Sequence, residues 1–263
     1  MNYKGAVLFD YDGTLADEKK GIYYPTDTTK KALKKLKENG YFVALATGRA
    51  KCYVPNVGID FDGYVTVNGA CAEIGEKIVY EKFIEPDKLS ELIREFDKMG
   101  LYYSLETHDI CYANEPNNEK FVAMLENFNI SKEVYVKLNK SSLPSTLKLN
   151  LVYNSERETE RLAELFKGFF VFEKHRKFPS CDVSQKGITK ATGIKNLSES
   201  LFIARENIYA FGDGENDFEM IKYAGHGVAM GVHAESLDKA ADYVTDTVED
   251  EGIYKALKKY DLI

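Results

Sequence analysis

Short apolar runs that stop at polar turns alternate with amphipathic segments over the first third of the chain. Three of these runs are Ala6–Phe9, Tyr41–Ala46 and Tyr64–Val67. Unbroken apolar runs of this length are typical of strands that are buried on both faces of a parallel sheet. Between the first two runs the pattern predicts a helix over Thr28–Asn39, and Gly40 follows its end.

The last third of the chain has the same alternation of strands and helices. The predicted elements, in order, are a helix at Ile188–Ile194, a strand at Asn207–Phe211, a helix at Asn216–Ala224, a strand at Gly227–Met230, a helix at Glu235–Ala241, a strand at Tyr243–Thr245 and a helix at Ile253–Tyr260. Strands that alternate with helices indicate a mostly parallel sheet with right-handed crossovers. The first and last thirds therefore predict one α/β domain with a doubly wound parallel sheet.

The middle third has a different pattern, with strands in which polar and apolar residues alternate. These strands are Glu133–Leu138, Leu147–Tyr153 and Phe169–Lys174, and the amphipathic helices among them are Asp87–Lys98 and Glu156–Phe166. One-sided alternation is typical of a sheet with helices on one face only. We therefore expect an inserted α+β domain over residues 78–182, and an outer domain made of residues 1–77 and 183–263.

Composition and charge narrow the class of protein. Of the 263 residues 44% are hydrophobic and 29% are charged, which is ordinary for a globular protein. The net charge of −7 argues against a general nucleic-acid binder, and no apolar stretch is long enough to span a bilayer. The first residues run directly into a predicted strand, so we expect no cleaved leader. The four scattered cysteines predict reduced thiols and a cytoplasmic protein.

Polar residues that could carry chemistry lie where the predicted strands end or where a helix begins beside them. They are Asp10, Asp12 and Thr14; Thr47, Gly48 and Arg49; Lys186; and Asp213, Asn216 and Asp217. In open α/β sheets, ligands bind at the carboxyl ends of the strands. Carboxylates clustered without histidine or cysteine favour a hard cation, and Mg²⁺ is the natural choice. With a lysine and a threonine hydroxyl beside it, this set outlines a site for phosphoryl transfer.

Four segments resemble the signature motifs of the haloacid dehalogenase superfamily of phosphohydrolases. They are VLFDYDGT, ATGR, the lysine of SQKG, and GDGEND. Their order, and the long insertion between the second and third motifs, resemble the Cof-type subgroup (subfamily IIB). The resemblance implies a Rossmann-like core with an α/β cap that sets substrate specificity.

The same resemblance implies a role for each matching residue. Asp10 is expected to be the nucleophile that forms an aspartyl-phosphate, and Asp12 the general acid and then the general base. Mg²⁺ is expected on Asp10, Asp213 and the backbone carbonyl of Asp12. Around this centre the phosphoryl group is expected to bind Thr47, Gly48, Arg49, Lys186 and Asn216, with Asn216 and Asp217 also supporting the metal ligands. An acid at position 12 favours phosphatases and phosphomutases over dehalogenases.

The motifs leave the substrate and the final acceptor open. A small phosphorylated metabolite, by default a sugar phosphate, fits the resemblance, for a monomer or a homodimer. A phosphomutase and a catalytically inactive phosphometabolite-binding protein are the alternatives. Two departures from the subgroup are a short segment after Arg49, which predicts a truncated helix, and His233, read as a loop residue. Candidate specificity residues in the insert are His108, Tyr112, His175 and Arg176.

Overall fold

The computed structural model describes residues 3–175 and 178–263. The backbone contacts divide the chain into two compact units. The first unit comprises the chain up to Gly48, Pro55–Tyr80 and Thr189–Ile263. The second unit comprises Arg49–Val54 and Glu81–Ile188. No helix of the described ranges has the length and apolar character needed to cross a membrane.

Strands and helices are numbered here in chain order. The strands are β1 (Ala6–Phe9), β2 (Phe42–Ala46), β3 (Gly63–Thr66), β4 (Cys71–Ile74), β5 (Lys77–Glu81), β6 (Tyr102–Glu106), β7 (Cys111–Ala113), β8 (Tyr135–Lys137), β9 (Lys148–Val152), β10 (Phe170–Lys174), β11 (Ser180–Gln185), β12 (Ile208–Gly212), β13 (His226–Ala229) and β14 (Tyr243–Val244). The α-helices are α1 (Asp27–Glu38), α2 (Pro86–Lys98), α3 (Glu119–Asn127), α4 (Glu156–Leu165), α5 (Lys190–Ser200), α6 (Phe218–Tyr223) and α7 (Gly252–Lys259).

The sheet of the first unit has the order β14-β13-β12-β1-β2-β3-β4-β5. The pairs from β14 to β3 are parallel, and β4 turns back antiparallel to β3. Every side chain of β1 and β2 is buried, as the unbroken apolar runs predicted. Since β1 lies between β2 and β12, the residues that follow these three strands emerge side by side at one edge of the sheet.

The sheet of the second unit has the order β10-β11-β9-β6-β7-β8, and its strands are antiparallel apart from the β7–β8 pair. One face packs on α2 and α4 through a core that includes Phe96, Leu149 and Leu162. The opposite face has buried polar side chains, among them Glu106 and Lys148, which pair directly across β6 and β9. The sheet is therefore apolar on one face and polar on the other, as the alternation predicted.

Both predicted boundaries of the inserted domain are shifted in the structure, and residues 78–80 group with the first unit. Residues 183–188 group with the second unit because β11 runs to Gln185 and pairs with β9 and β10 there. The segment Arg49–Val54 also groups with the second unit, and it contains only a short 3-10 turn, Lys51–Tyr53. The prediction of a truncated helix after the second motif is thus confirmed.

Candidate active site

Asp10 lies immediately after β1, where its backbone N–H continues the sheet by donating to the carbonyl of Phe211 at 2.9 Å. Its side chain is only 5% exposed and contacts Lys190, whose Nζ lies 2.5 Å from Asp10 Oδ1. The same ammonium lies 2.6 Å from Asp217 Oδ1. Because Lys190 and Asp217 are both fully buried, this is a charged triad removed from water, with one positive and two negative members.

The lysine in this triad is Lys190, and the sequence prediction of Lys186 is wrong on this point. Lys186 follows β11, and its exposed Nζ donates to the carbonyl of Lys167 at 3.1 Å within the second unit. The helix that was predicted to begin at Ile188, just after Lys186, begins at Lys190, with Thr189 as its N-cap. The sequence contains a signal for this helix start. Thr189 is a good N-cap residue, and Thr192 follows it three positions later, whereas the glycine after Lys186 does not mark the start of a helix.

Asp217 fixes the loop after β12 as well as binding Lys190. Its second carboxylate oxygen, Oδ2, accepts the backbone N–H groups of Asp213 at 2.9 Å and Gly214 at 2.8 Å. Both oxygens of Asp217 are therefore occupied by the protein. This geometry makes Asp217 a residue that positions Asp213 and Lys190.

Asp213 lies beside the turn that follows Asp10. Thr14 Oγ1 donates to Asp213 Oδ1 at 3.1 Å. Gly13 has a φ of +93°, and a Cβ atom at this position would lie 2.1 Å from Asp213 Oδ2. Only glycine therefore permits the backbone of this turn to approach the carboxylate so closely. Burial and the neighbouring charge of Asp217 raise the pKa of Asp213 to about 7.

The carboxylates fit a divalent cation. Ligand atoms of Asp10, Asp213 and Asp217 all lie within 4.8 Å of one another. Burial, with the charge of Asp217 next, raises the pKa of Asp10, and Lys190 only partly opposes this. The buried Asp10 and Asp217 share one ammonium, and the partly buried Asp213 adds a third carboxylate, so negative charge is in excess and a hard cation with oxygen ligands would neutralise it. Asp10 and Asp213 would hold Mg²⁺ here, with the exposed Asp12 beside them in the turn.

Thr47 and Gly48 follow β2 at the same edge. Thr47 is 1% exposed, and its N–H donates to the carbonyl of Val65 at 2.8 Å. Its own carbonyl accepts the N–H of Asn68 at 3.2 Å. The side chain of Asn68 in turn accepts a hydrogen bond from Asn216 Nδ2 at 3.1 Å. Asn68 therefore links the segment after β2 to the loop after β12.

Asn68 was not predicted from the sequence. It lies in a run of three left-handed residues, with φ values of +50° at Val67, +54° at Asn68 and +89° at Gly69. A valine with positive φ is strained, and such strain persists only where the surrounding structure holds the backbone in that conformation. The Asn-Gly pair at the end of a strand was the available signal, since both residues tolerate positive φ.

The remaining predicted residues have different surroundings. Arg49 is buried, and its role stays a prediction. In the second unit, His108 pairs with Asp109 at 2.6 Å, and Tyr112 packs against the apolar core. His175 hydrogen bonds Ser180 Oγ at 2.7 Å, whereas Arg176 lies outside the described residues. His233 Nδ1 is 2.6 Å from the carbonyl of Met230, and its Nε2 is 3.0 Å from Asp238 Oδ1, in keeping with a loop residue.

Known proteins match this chain over almost its whole length. A model of the haloacid dehalogenase-like hydrolase family matches residues 7–257. The 5-amino-6-(5-phospho-D-ribitylamino)uracil phosphatase YcsE of Bacillus subtilis (strain 168) is 27% identical, and the match covers 97% of this chain and 94% of that protein.

Solved structures have the same fold. A protein from Geobacillus kaustophilus HTA426 is 31% identical with a TM-score of 0.85, over 98% of this chain and 99% of the other. The HAD subclass IIB sugar phosphatase BT4131 is 28% identical with a TM-score of 0.84, over 98% and 100% of the two chains. The resemblance to this family is thus confirmed, and so are the α/β fold and the phosphatase class. The chain belongs to the haloacid dehalogenase-like hydrolases, as a phosphatase of the Cof-type group.

Proposed function

We propose that this protein is a Mg²⁺-dependent phosphomonoesterase that acts on a small sugar or polyol phosphate through an aspartyl-phosphate. The observation that carries the proposal is the buried contact between Asp10 and Lys190, next to Asp213. Lys190 occupies one oxygen of Asp10 and leaves the other to attack phosphorus. When bound, Mg²⁺ would hold Asp10 ionised and offset the charge of the phosphoryl oxygens.

The first half of the reaction transfers the phosphoryl group to the protein. A carboxylate oxygen of Asp10 forms a bond to phosphorus, and the bond from phosphorus to the substrate alcohol breaks. The departing alkoxide takes a proton from the carboxylic acid of Asp12, which is exposed and therefore accessible to a substrate. Thr47, the Gly48 amide and Lys190 are assigned to the phosphoryl oxygens, whose charge they balance.

The second half returns Asp10 to its starting state. The ionised Asp12 accepts a proton from water as the water oxygen attacks phosphorus, and the bond from phosphorus to Asp10 breaks. Inorganic phosphate leaves, and Asp12 is again protonated for the next substrate. In this assignment Asp217 takes no part in bond making, because its two oxygens bind Lys190 and the loop amides.

The substrate class is supported by the relatives. YcsE is named for a phosphorylated ribityl compound, and BT4131 is described as a sugar phosphatase. We therefore expect substrates whose alcohol part has several hydroxyl groups.

The test is release of inorganic phosphate from a panel of sugar, polyol and nucleotide phosphates, with Mg²⁺ and with a chelator. Asp10→Asn should abolish turnover, since the amide is a poor nucleophile of nearly the same size. Asp17→Asn is the matched control, because Asp17 is a helix cap outside the site and asparagine caps equally well. No release by the wild type, or full activity in Asp10→Asn, would overturn the proposal. If the protein only moves the phosphoryl group from one position of a sugar phosphate to another, and needs a bisphosphate activator to do so, it is a mutase instead.

A further inference from the structure

Two cysteines that are far apart in the sequence are in contact in the second unit. The Sγ atoms of Cys52 and Cys111 lie 3.2 Å apart. Cys52 lies in the 3-10 turn Lys51–Tyr53, and Cys111 is the first residue of β7. A disulfide has an S–S distance of about 2.05 Å, so the two sulfurs need to approach by only about 1 Å.

The neighbouring residue Tyr53 holds the turn over the sheet. Its hydroxyl donates to Glu106 Oε1 at 2.6 Å, and its ring stacks on Tyr135 with the centroids 6.5 Å apart. Glu106 and Tyr135 are the residues that pair with Cys111 across β6 and β8. Tyr53 is therefore anchored to both strands that flank Cys111, and this places the sulfur of Cys52 beside that of Cys111.

The two thiols differ in their access to solvent. Cys52 is partly exposed, whereas Cys111 is fully buried. We propose that Cys52 and Cys111 form a reversible intramolecular disulfide when the protein meets a peroxide. Cys52 is the residue that the oxidant reaches, and Cys111 is the resolving residue. This proposal does not depend on the phosphatase mechanism.

The chemistry balances with one peroxide for each disulfide. The thiolate of Cys52 attacks the peroxide, the O–O bond breaks, and Cys52 becomes a sulfenic acid while the other oxygen leaves as water or an alcohol. The sulfur of Cys111 then attacks the sulfur of the sulfenic acid, an S–S bond forms, and water departs with the proton of Cys111. Two thiols lose two electrons in total, and the peroxide gains them. A dithiol reductant returns both electrons by thiol–disulfide exchange.

A disulfide here would link a short segment to the sheet by a covalent bond. The two residues are 59 positions apart, so the bond would close a long loop and restrict the unfolded chain. The segment Arg49–Val54 is continuous at both ends with the first unit, directly after Thr47 and Gly48. Oxidation would therefore constrain the chain at a point four residues after Gly48, whose amide is assigned to the phosphoryl group.

The experiment treats the full chain with hydrogen peroxide, alkylates the remaining thiols after unfolding, and maps the peptides without reduction. We expect a loss of two hydrogen atoms from the intact mass, two fewer alkylated cysteines, and a peptide pair joined through Cys52 and Cys111. A dithiol reductant should reverse all three, and the oxidised protein should unfold several degrees higher. Cys52→Ser should remove the cross-link, whereas Cys181→Ser, which changes another buried thiol of the same sheet, should retain it.

The possible contrary results are equally definite. If Cys52 is converted to a sulfinic acid while Cys111 remains available for alkylation, the pair does not act as a disulfide site and the proposal is wrong. The same conclusion follows if cross-links to Cys71 or Cys181 form as readily. The wild-type peptide map and Cys52→Ser carry the test even if Cys111→Ser fails to fold. A protein without phosphatase activity can still give the expected cross-link, so the two proposals fail separately.

Discussion

Replacing Lys190 by methionine, with Lys186→Met as the matched control, is the sharpest test of how the site is built. Both changes remove one ammonium and keep a similar side-chain volume. Lys190 is fully buried and lies 2.5 and 2.6 Å from two carboxylates. Lys186 is exposed, and in the described part of the chain its ammonium donates a hydrogen bond to the Lys167 carbonyl at 3.1 Å.

The expected magnitudes follow from these surroundings. Removing one partner from a buried ion pair costs about 3–5 kcal/mol because an uncompensated charge stays in the interior. Here Asp10 and Asp217 would both lose their cation, so we expect the Lys190→Met change in the free energy of unfolding to reach that range. An exposed change such as Lys186→Met is expected to stay within about 0.5 kcal/mol. Loss of a charge that stabilises the transition state should also lower kcat by about 10²–10³ for Lys190→Met.

The assay is urea unfolding in a chelating buffer, together with kcat for the best substrate of the panel. Asp10 has a raised pKa, so it binds a proton more tightly in the folded protein than in the unfolded chain. Acid therefore relieves the repulsion between the unpaired carboxylates, and the stability lost in Lys190→Met should shrink as the pH falls. Equal effects of the two substitutions, or a larger effect of Lys186→Met on kcat, would refute the assignment of Lys190.

Three further predictions concern other parts of the molecule. Asn68→Ala should raise KM and the inhibition constant for inorganic phosphate several-fold. The control Asn129→Ala, which changes another asparagine of positive φ, should raise them less. Equal inhibition constants for the two variants would contradict the linking role of Asn68. Lys148→Met should lower the free energy of unfolding by about 3–5 kcal/mol in urea at neutral pH, because Lys148 lies 3.2 Å from Glu106 and 2.7 Å from Asp182. An unchanged free energy of unfolding would show that these two ion pairs do not stabilise the fold. The affinity for Mg²⁺, measured by calorimetry, should fall as the pH drops below about 7, because a proton on Asp213 then competes with the cation. A constant affinity across that pH range would exclude this competition.

The parallel sheet could be predicted from the sequence because each of its central strands is defined by its own residues. The runs at β1 and β2 are apolar at every position, and every one of those positions is buried. The glycine, aspartate and threonine residues at the strand ends then meet at one edge by topology alone. This is why the sequence alone predicts that Asp10, Thr47 and Asp213 lie at the same edge of the sheet.

The parts that were missed depend on partners that are distant in the chain. The strand β11 reads SCDVSQ, which has too few apolar residues to be recognised, and it exists because β9 and β10 pair with it. With no strand predicted there, the pattern places the start of this helix at Ile188 and the lysine of the site at Lys186, and it misses Lys190. The contact between Cys52 and Cys111 was equally hidden, because nothing local relates two residues that are 59 positions apart.

The division of the chain at Arg49–Val54 limits how this protein can be recombined with its relatives. The chain passes between the two units at four points, after Gly48, Val54, Tyr80 and Ile188. A chimera that exchanges only the long insertion would bring a foreign sheet to a native segment whose Tyr53 hydroxyl is matched to Glu106. To exchange specificity between family members, two segments must therefore be replaced together: the six residues Arg49–Val54 and the roughly one hundred residues Glu81–Ile188.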